Sequence, residues 1–201
     1  MGSGLVRAVT VLLGLCLGVP GQVIEFESNG LKYQTITKRG ITVMFAHLPG
    51  HVREFIILQV AVSNGSPGPY IIRPEDFTFK KDDGSELHAW PARAVVELLK
   101  EKGGRSDVIK LVSAYENALY GIPHMRLANA YEARRQAAMA EMTSAKLRAA
   151  AAASAIALVQ VKLAPGESAD GAVFFTSEGK ALGAGRLVVR TNTDTFEFSA
   201  E

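Results

Sequence analysis

The 201-residue chain contains a single cysteine, Cys16, and it sits within the apolar run at the N-terminus. Without that run no thiol remains, which excludes a disulfide, a thiolate metal site and a cysteine nucleophile. Charge of one sign is also lacking. With 22 Lys and Arg against 20 Asp and Glu the net charge is +2, and no basic patch interleaves with aromatics, so nucleic acid is not an expected partner. No stretch reaches the roughly 20 apolar residues that a membrane-spanning helix needs. A strained Gly-x-Ser-x-Gly elbow is missing, and so is a phosphate-binding loop. Gly103-Gly104 is not followed by Gly-Lys-Ser, and Gly183-Ala184-Gly185 precedes an expected strand instead of a helix. No cofactor and no catalytic residue are expected.

The first 21 residues stand apart. Arg7 precedes an apolar run from Ala8 to Val19, and Val19-Pro20-Gly21 ends it with a turn and a small residue. This is the pattern of a secretory signal peptide over residues 1–21, cleaved after Gly21 or Gly18. Leu15 is too large for the small residue that precedes a lipidated cysteine, so Cys16 does not mark a lipid anchor. The expected location is periplasmic or secreted, with membrane attachment only through an uncleaved leader.

Beyond residue 22 the chain reads mostly as short strands. Leu31–Lys38 and Ile41–His47 flank Arg39-Gly40, and in the second Ile41, Val43 and Phe45 form one apolar row. Leu48-Pro49-Gly50 is expected to turn the chain. Arg53–Ser63 carries Ile56, Leu58, Val60 and Val62 on one side and Phe55, Ile57 and Ala61 on the other, the mark of a central strand covered on both faces. Tyr70–Ile72, Asp76–Lys80, Glu86–Trp90, Gly171–Thr176, Gly185–Arg190 and Thr195–Ser199 complete the expected strands. Asn64-Gly65-Ser66 has the form of a glycosylation acceptor, within a loop rich in Gly and Pro.

A helical block interrupts the strands. Ala92–Lys102 is the first expected helix, and the second starts at a Ser106 cap with Val108, Leu111, Val112, Tyr115, Ala118 and Leu119 at helical spacing. Between Pro123 and Pro165, 41 residues contain neither glycine nor proline, and 14 of the 30 from Ala128 to Ala157 are alanine. That composition predicts one long helix from Met125 to Ala157. The division expected is a leader over 1–21, a first part of a β-sandwich over 22–91, a helical insertion over 92–160 and a second part of the sandwich over 161–201.

Several short motifs carry a resemblance. Val60-Ala61-Val62-Ser63-Asn64 is followed by Ile72-Arg73-Pro74-Glu75-Asp76-Phe77 and Asp83-Gly84, then by Leu163-Ala164-Pro165-Gly166-Glu167 and Gly171-Ala172-Val173-Phe174-Phe175. Outside the helical block the chain resembles exported bacterial immunoglobulin-like domains similar to the mycobacterial immunoprotective extracellular antigen. The resemblance implies an antiparallel immunoglobulin-like β-sandwich of some seven strands and assigns no catalytic residues. The three-helix block departs from the compact form of that group.

Candidate sites are few. His47 and His51 flank Pro49-Gly50, but no carboxylate clearly completes a metal set. Asp82, Asp83 and Glu86 read as a solvated turn, because a Ca²⁺ loop needs more carboxylates in register. Along the long helix, Ala128, Tyr131, Arg135, Ala138, Met142 and Ala145 begin a seam of mostly small residues at three-and-four spacing, which lets helix backbones approach closely. The seam packs within its own chain or meets a protein partner or a second copy. The main expectation is an exported, non-enzymatic binding or scaffolding module with the helices as contact surface. The alternative is a small-ligand carrier or enzyme with a pocket at the helix–sandwich junction, around Trp90, Tyr115, Tyr120 and His124.

Overall fold

The computed structural model describes residues 22–120, 131–140, 142–177 and 180–200. In chain order its strands and helices are β1 (Ile24–Ser28), β2 (Leu31–Lys38), β3 (Ile41–Val52), β4 (Phe55–Asn64), β5 (Tyr70–Ile72), β6 (Phe77–Lys81), β7 (Glu86–His88), α1 (Ala92–Lys102), α2 (Arg105–Leu119), α3 (Tyr131–Met139), α4 (Ala145–Ile156), β8 (Val161–Leu163), β9 (Ser168–Thr176), β10 (Gly185–Arg190) and β11 (Thr195–Ala200).

Strand β4 organises the rest. Every residue of it except Ser63 is buried. Successive side chains of a strand point to opposite faces. Ile56, Leu58, Val60 and Val62 therefore enter one core, while Phe55, Ile57 and Ala61 enter another. β4 lies between β3 and β9 in an antiparallel sheet of order β1-β2-β3-β4-β9. A second sheet, β11-β10-β6-β7, covers the Ile56 face with Phe77, Phe79, Leu187, Val189, Phe196 and Phe198. Helices cover the Phe55 face through Leu99, Leu111, Tyr115, Ala149, Ala152 and Ile156. The result is three layers: helices, a five-stranded sheet and a four-stranded sheet. β5 and β8 pair separately. The fold is thus mainly antiparallel β with a helical part, as expected, but with eleven strands and four helices among the described residues.

The long helix expected from Met125 to Ala157 is not formed as one piece. α3 ends at Met139, and α4 begins behind Ser144, whose Oγ accepts the Leu147 N–H at 3.2 Å. Arg148 Nε donates to the Met142 carbonyl at 2.9 Å, satisfying a group at the break. Serine and threonine side chains offer the backbone local partners, so Thr143-Ser144 favours a cap over a helix interior. Absence of Gly and Pro permits a helix to continue but does not compel it. Residues 121–130, including the expected start at Met125, lie outside the described residues, as does the leader over 1–21.

Two smaller expectations also change. Leu48-Pro49-Gly50 lies within β3, where the register against β4 shifts between His47 and His51, and the chain reverses at Arg53-Glu54 instead. The bulge absorbs the proline without ending the strand. Ser106 does not cap α2. Gly104 does, and its N–H donates to Asp107 Oδ2 at 2.8 Å.

That carboxylate also accepts from Arg53 Nε and Nη2, each at 2.8 Å, so the start of α2 is tied to the β3–β4 hairpin. At the other end the Tyr33 hydroxyl donates to the Ala118 carbonyl at 2.8 Å and ties α2 to β2. Along the outer edge of β9 the Trp90 N–H donates to the Phe174 carbonyl and the Leu158 N–H to the Ala172 carbonyl, both at 2.8 Å. Gly171 makes this crossing possible. A Cβ there would lie 2.6 Å from Leu158 Cα.

Short side chains let α4 fit between its neighbours. Ala149, Ala152 and Ala153 are fully buried, and a Cβ on Gly103, just after α1, would lie 2.8 Å from that of Ala149. Space this tight has no room for a longer side chain. Ala152→Leu should lower unfolding free energy by about 2 kcal/mol, whereas exposed Ala145→Leu should stay within about 0.5 kcal/mol of the parent. Urea unfolding followed by circular dichroism measures both, and equal effects would disprove the close packing.

Candidate functional site

The six expected contact residues separate in the structure. Ala128 lies outside the described residues. Tyr131 is buried and its hydroxyl donates to Glu116 Oε1 at 3.2 Å, while Arg135 Nη1 pairs with the same oxygen at 3.3 Å. Ala138 and Met142 are half-buried, and Ala145 is exposed. The seam is therefore covered from Ala149 onward and open at the start of α4.

The residues of the expected junction pocket separate as well. Tyr115 is fully buried, and Trp90 packs edge-on against Phe55 with ring centroids 5.2 Å apart. Tyr120 is 59% exposed and its hydroxyl donates to Glu132 Oε1 at 2.8 Å. His124 lies outside the described residues. Trp90 and Tyr115 thus border one core through different neighbours, and Tyr120 faces solvent.

A polar junction with little trace in the sequence lies beneath the helices. Gln59 of β4 and Asp170 of β9 are 1% and 2% exposed, within the sheet face that the helices cover. The Tyr115 hydroxyl donates to Asp170 Oδ2, and the Tyr115 ring is 5.1 Å from that of Tyr131. Tyr115, Tyr131, Glu116 and Arg135 form a chain of contacts from the sheet to the surface. Gln59 carries a signal that could have found it, because a polar residue inside a two-sided apolar strand needs a reason. Asp170 carries none, since it falls one residue before the strand expected at Gly171.

The open end of the seam borders a cleft of about 640 Å³ between the start of α2 and the α3–α4 junction. Val108, Ile109, Met139 and Ala145 form its apolar walls, with Arg105 and Arg148 among the lining residues. Ile109 is 56% exposed. A shallower hollow of about 420 Å³, lined by Arg135, Gln136, Met139 and Ala140, shares Met139 with it.

The remaining candidates have structural roles. Asp83 Oδ1 accepts the Ser85 N–H and hydroxyl at 2.8 and 2.6 Å, as a turn requires. Asn64 is fully buried and its amide donates to the carbonyls of Gly68 and Leu163, so it is not presented for glycosylation in the folded chain. Among the described residues no group of three or more His, Cys, Asp or Glu is placed to hold a metal ion, and no helix is long and apolar enough to cross a membrane.

No known protein family matches the sequence, and no characterised protein matches it either. The chain is similar to the crystal structure of the yjhA protein from Bacillus subtilis, with a TM-score of 0.36, 9% identity, and 89% of this chain and 96% of that one covered. A likeness of this size carries no argument about function.

All five tyrosines are held above the ordinary phenol value. Burial pushes Tyr33 up to about 12. Burial raises Tyr115 well above the ordinary value, and the charge and hydrogen bond of Asp170 add to this. For exposed Tyr120 the hydrogen bond to Glu132 is the main cause. The unfolded chain loses phenol protons near pH 10 while the folded chain retains them. The resulting stability is intact below about pH 10 and is lost as pH rises through the folded values. Tyrosinate absorbance of the native protein should lag that of the denatured chain. Coincident titrations would contradict the burial.

Proposed function

We propose that the chain is an exported, non-enzymatic binding module in which an immunoglobulin-like sandwich supports a helical contact surface. The leader supports export, and the motifs shared with exported immunoglobulin-like domains support the sandwich type. The cleft beside Ile109 carries the binding reading. It joins an apolar floor to two arginines and lies where the seam is open. An isoleucine more than half exposed beside Val108 and Met139 gains by being covered, at about 25 cal/mol for each Å² removed from water. Arg105 and Arg148 select against a basic partner. The fitting occupant is an amphipathic helix with acidic flanks, laid into the groove by its apolar face.

A synthetic helical peptide with leucines at i, i+3, i+4 and i+7 and glutamates between them is a direct probe, read by fluorescence anisotropy. It should bind the full chain with an affinity that falls as salt rises. Ile109→Asp and the Arg105→Glu, Arg148→Glu pair should each weaken it by about tenfold or more, or roughly 1.4 kcal/mol. Absence of binding, or equal binding of a lysine version of the peptide, removes this reading.

A further inference from the structure

A second opening lies in the other half of the molecule, between the two sheets, and owes nothing to the helical cleft. Its volume is about 390 Å³, within the range of roughly 300 to 1,000 Å³ usual for small-molecule sites. Phe45 and Leu58 line it from the five-stranded sheet, Phe79 and Leu187 from the four-stranded sheet, and Leu182 from the β9–β10 connection. All five are buried side chains of the inter-sheet core.

Among the described lining residues His47 is the exception, the others being apolar. Its place results from the pleat. Ile41, Val43 and Phe45 form the inward row of β3, and His47 takes the next position of that row, opposite Leu58 in β4. An interior row thus ends in an imidazole where the core opens.

The chemistry of that imidazole is fixed on one side. His47 Nδ1 lies 3.0 Å from the Leu48 carbonyl. A carbonyl can only accept, so Nδ1 carries the proton and Nε2 of the neutral ring is left as an acceptor. Desolvation around the ring lowers its pKa from the ordinary histidine value, against the Leu48 hydrogen bond, which raises it. The shift favours the neutral ring.

We infer that this pocket binds a small, neutral, apolar molecule bearing one hydroxyl, an alkylphenol or a medium-chain alcohol, whose hydroxyl donates to His47 Nε2. The apolar walls hold the hydrocarbon part. Among the described residues no cationic side chain lines the pocket to hold a carboxylate or phosphate. The test compares 4-propylphenol with propylbenzene, which has the same hydrocarbon body and no hydroxyl, titrated into the full chain and followed by NMR. The phenol should give saturable shifts at the methyls of Leu58, Leu182 and Leu187 and at the His47 ring nitrogens. Propylbenzene should shift the same methyls with about tenfold weaker affinity. His47→Phe should make the two probes equal. Ala184→Trp, which enlarges an exposed lining residue, should abolish both with thermal unfolding unchanged. The inference fails if neither probe saturates at these methyls, if both bind the parent equally, or if His47→Phe leaves phenol binding intact.

Discussion

Burial of β4 and β9 on both faces is the constraint on which this structure depends. A strand pair that carries Ile56, Leu58, Val60, Val173 and Phe175 on one side and Phe55, Ile57, Ala172 and Phe174 on the other must be covered twice. The second sheet supplies one cover and the helices the other. The helical block is an insertion in chain order, between β7 and β8, but in the packing it is a layer of the core. Its attachments fit that role: Arg53 to Asp107, Tyr33 to Ala118 and Tyr115 to Asp170 all run from sheet to helix. Each joins residues far apart in sequence, so the layer is held by tertiary contacts and not by helix propensity alone.

The two-sided pattern of β4 was legible because it rests on period-two alternation, which the chain carries in plain form. The same alternation located β10 and β11 closely. Strand β1 was missed because it is an edge with exposed Ile24 and Phe26, and β8 because three residues cannot display a period. The break between α3 and α4 escaped for a different reason. Composition reports what a segment tolerates, whereas the end of a helix is decided by one capping side chain, here Ser144. Similarly, Ser106 suits the start of α2, yet the helix starts behind Gly104, whose N–H is held by Asp107, and that carboxylate is tied to Arg53, 54 positions away in the chain.

The candidate sites were less legible than the fold. The small-residue seam was expected on one helix, whereas Tyr131, Arg135 and Ala138 lie on α3, Ala145 on α4 and Met142 in the break between them, and its covered and open parts differ only in what lies across from them. Ala149 and Ala145 are the same residue one turn apart, one buried and one exposed. Asp170 and Tyr115 give no local sign of their pairing, because it spans 55 positions. His47 was noticed for its spacing from His51. Its relation to Phe45 and the inter-sheet opening becomes visible only once both sheets are in place.

The close passage of Leu158 over Gly171 has a consequence for the behaviour of the protein in a crowded solution. An unpaired strand edge is a template for another chain, and a buried, apolar strand such as β9 would be an effective one. The amides of Trp90 and Leu158 occupy two of its carbonyls. The backbone of β11 is engaged likewise, with Gln34 Nε2 reaching the Ser199 carbonyl at 2.8 Å and Lys38 Nζ the Thr195 carbonyl. In β1, Glu25 and Glu27 stand on the exposed strand and would face each other if two copies paired in antiparallel register about Phe26. Like charges directly opposite are destabilising. The glycine that admits Leu158 thus leaves fewer free acceptors for a second chain: two sheet edges are partly occupied by the chain itself, and a third carries like charges.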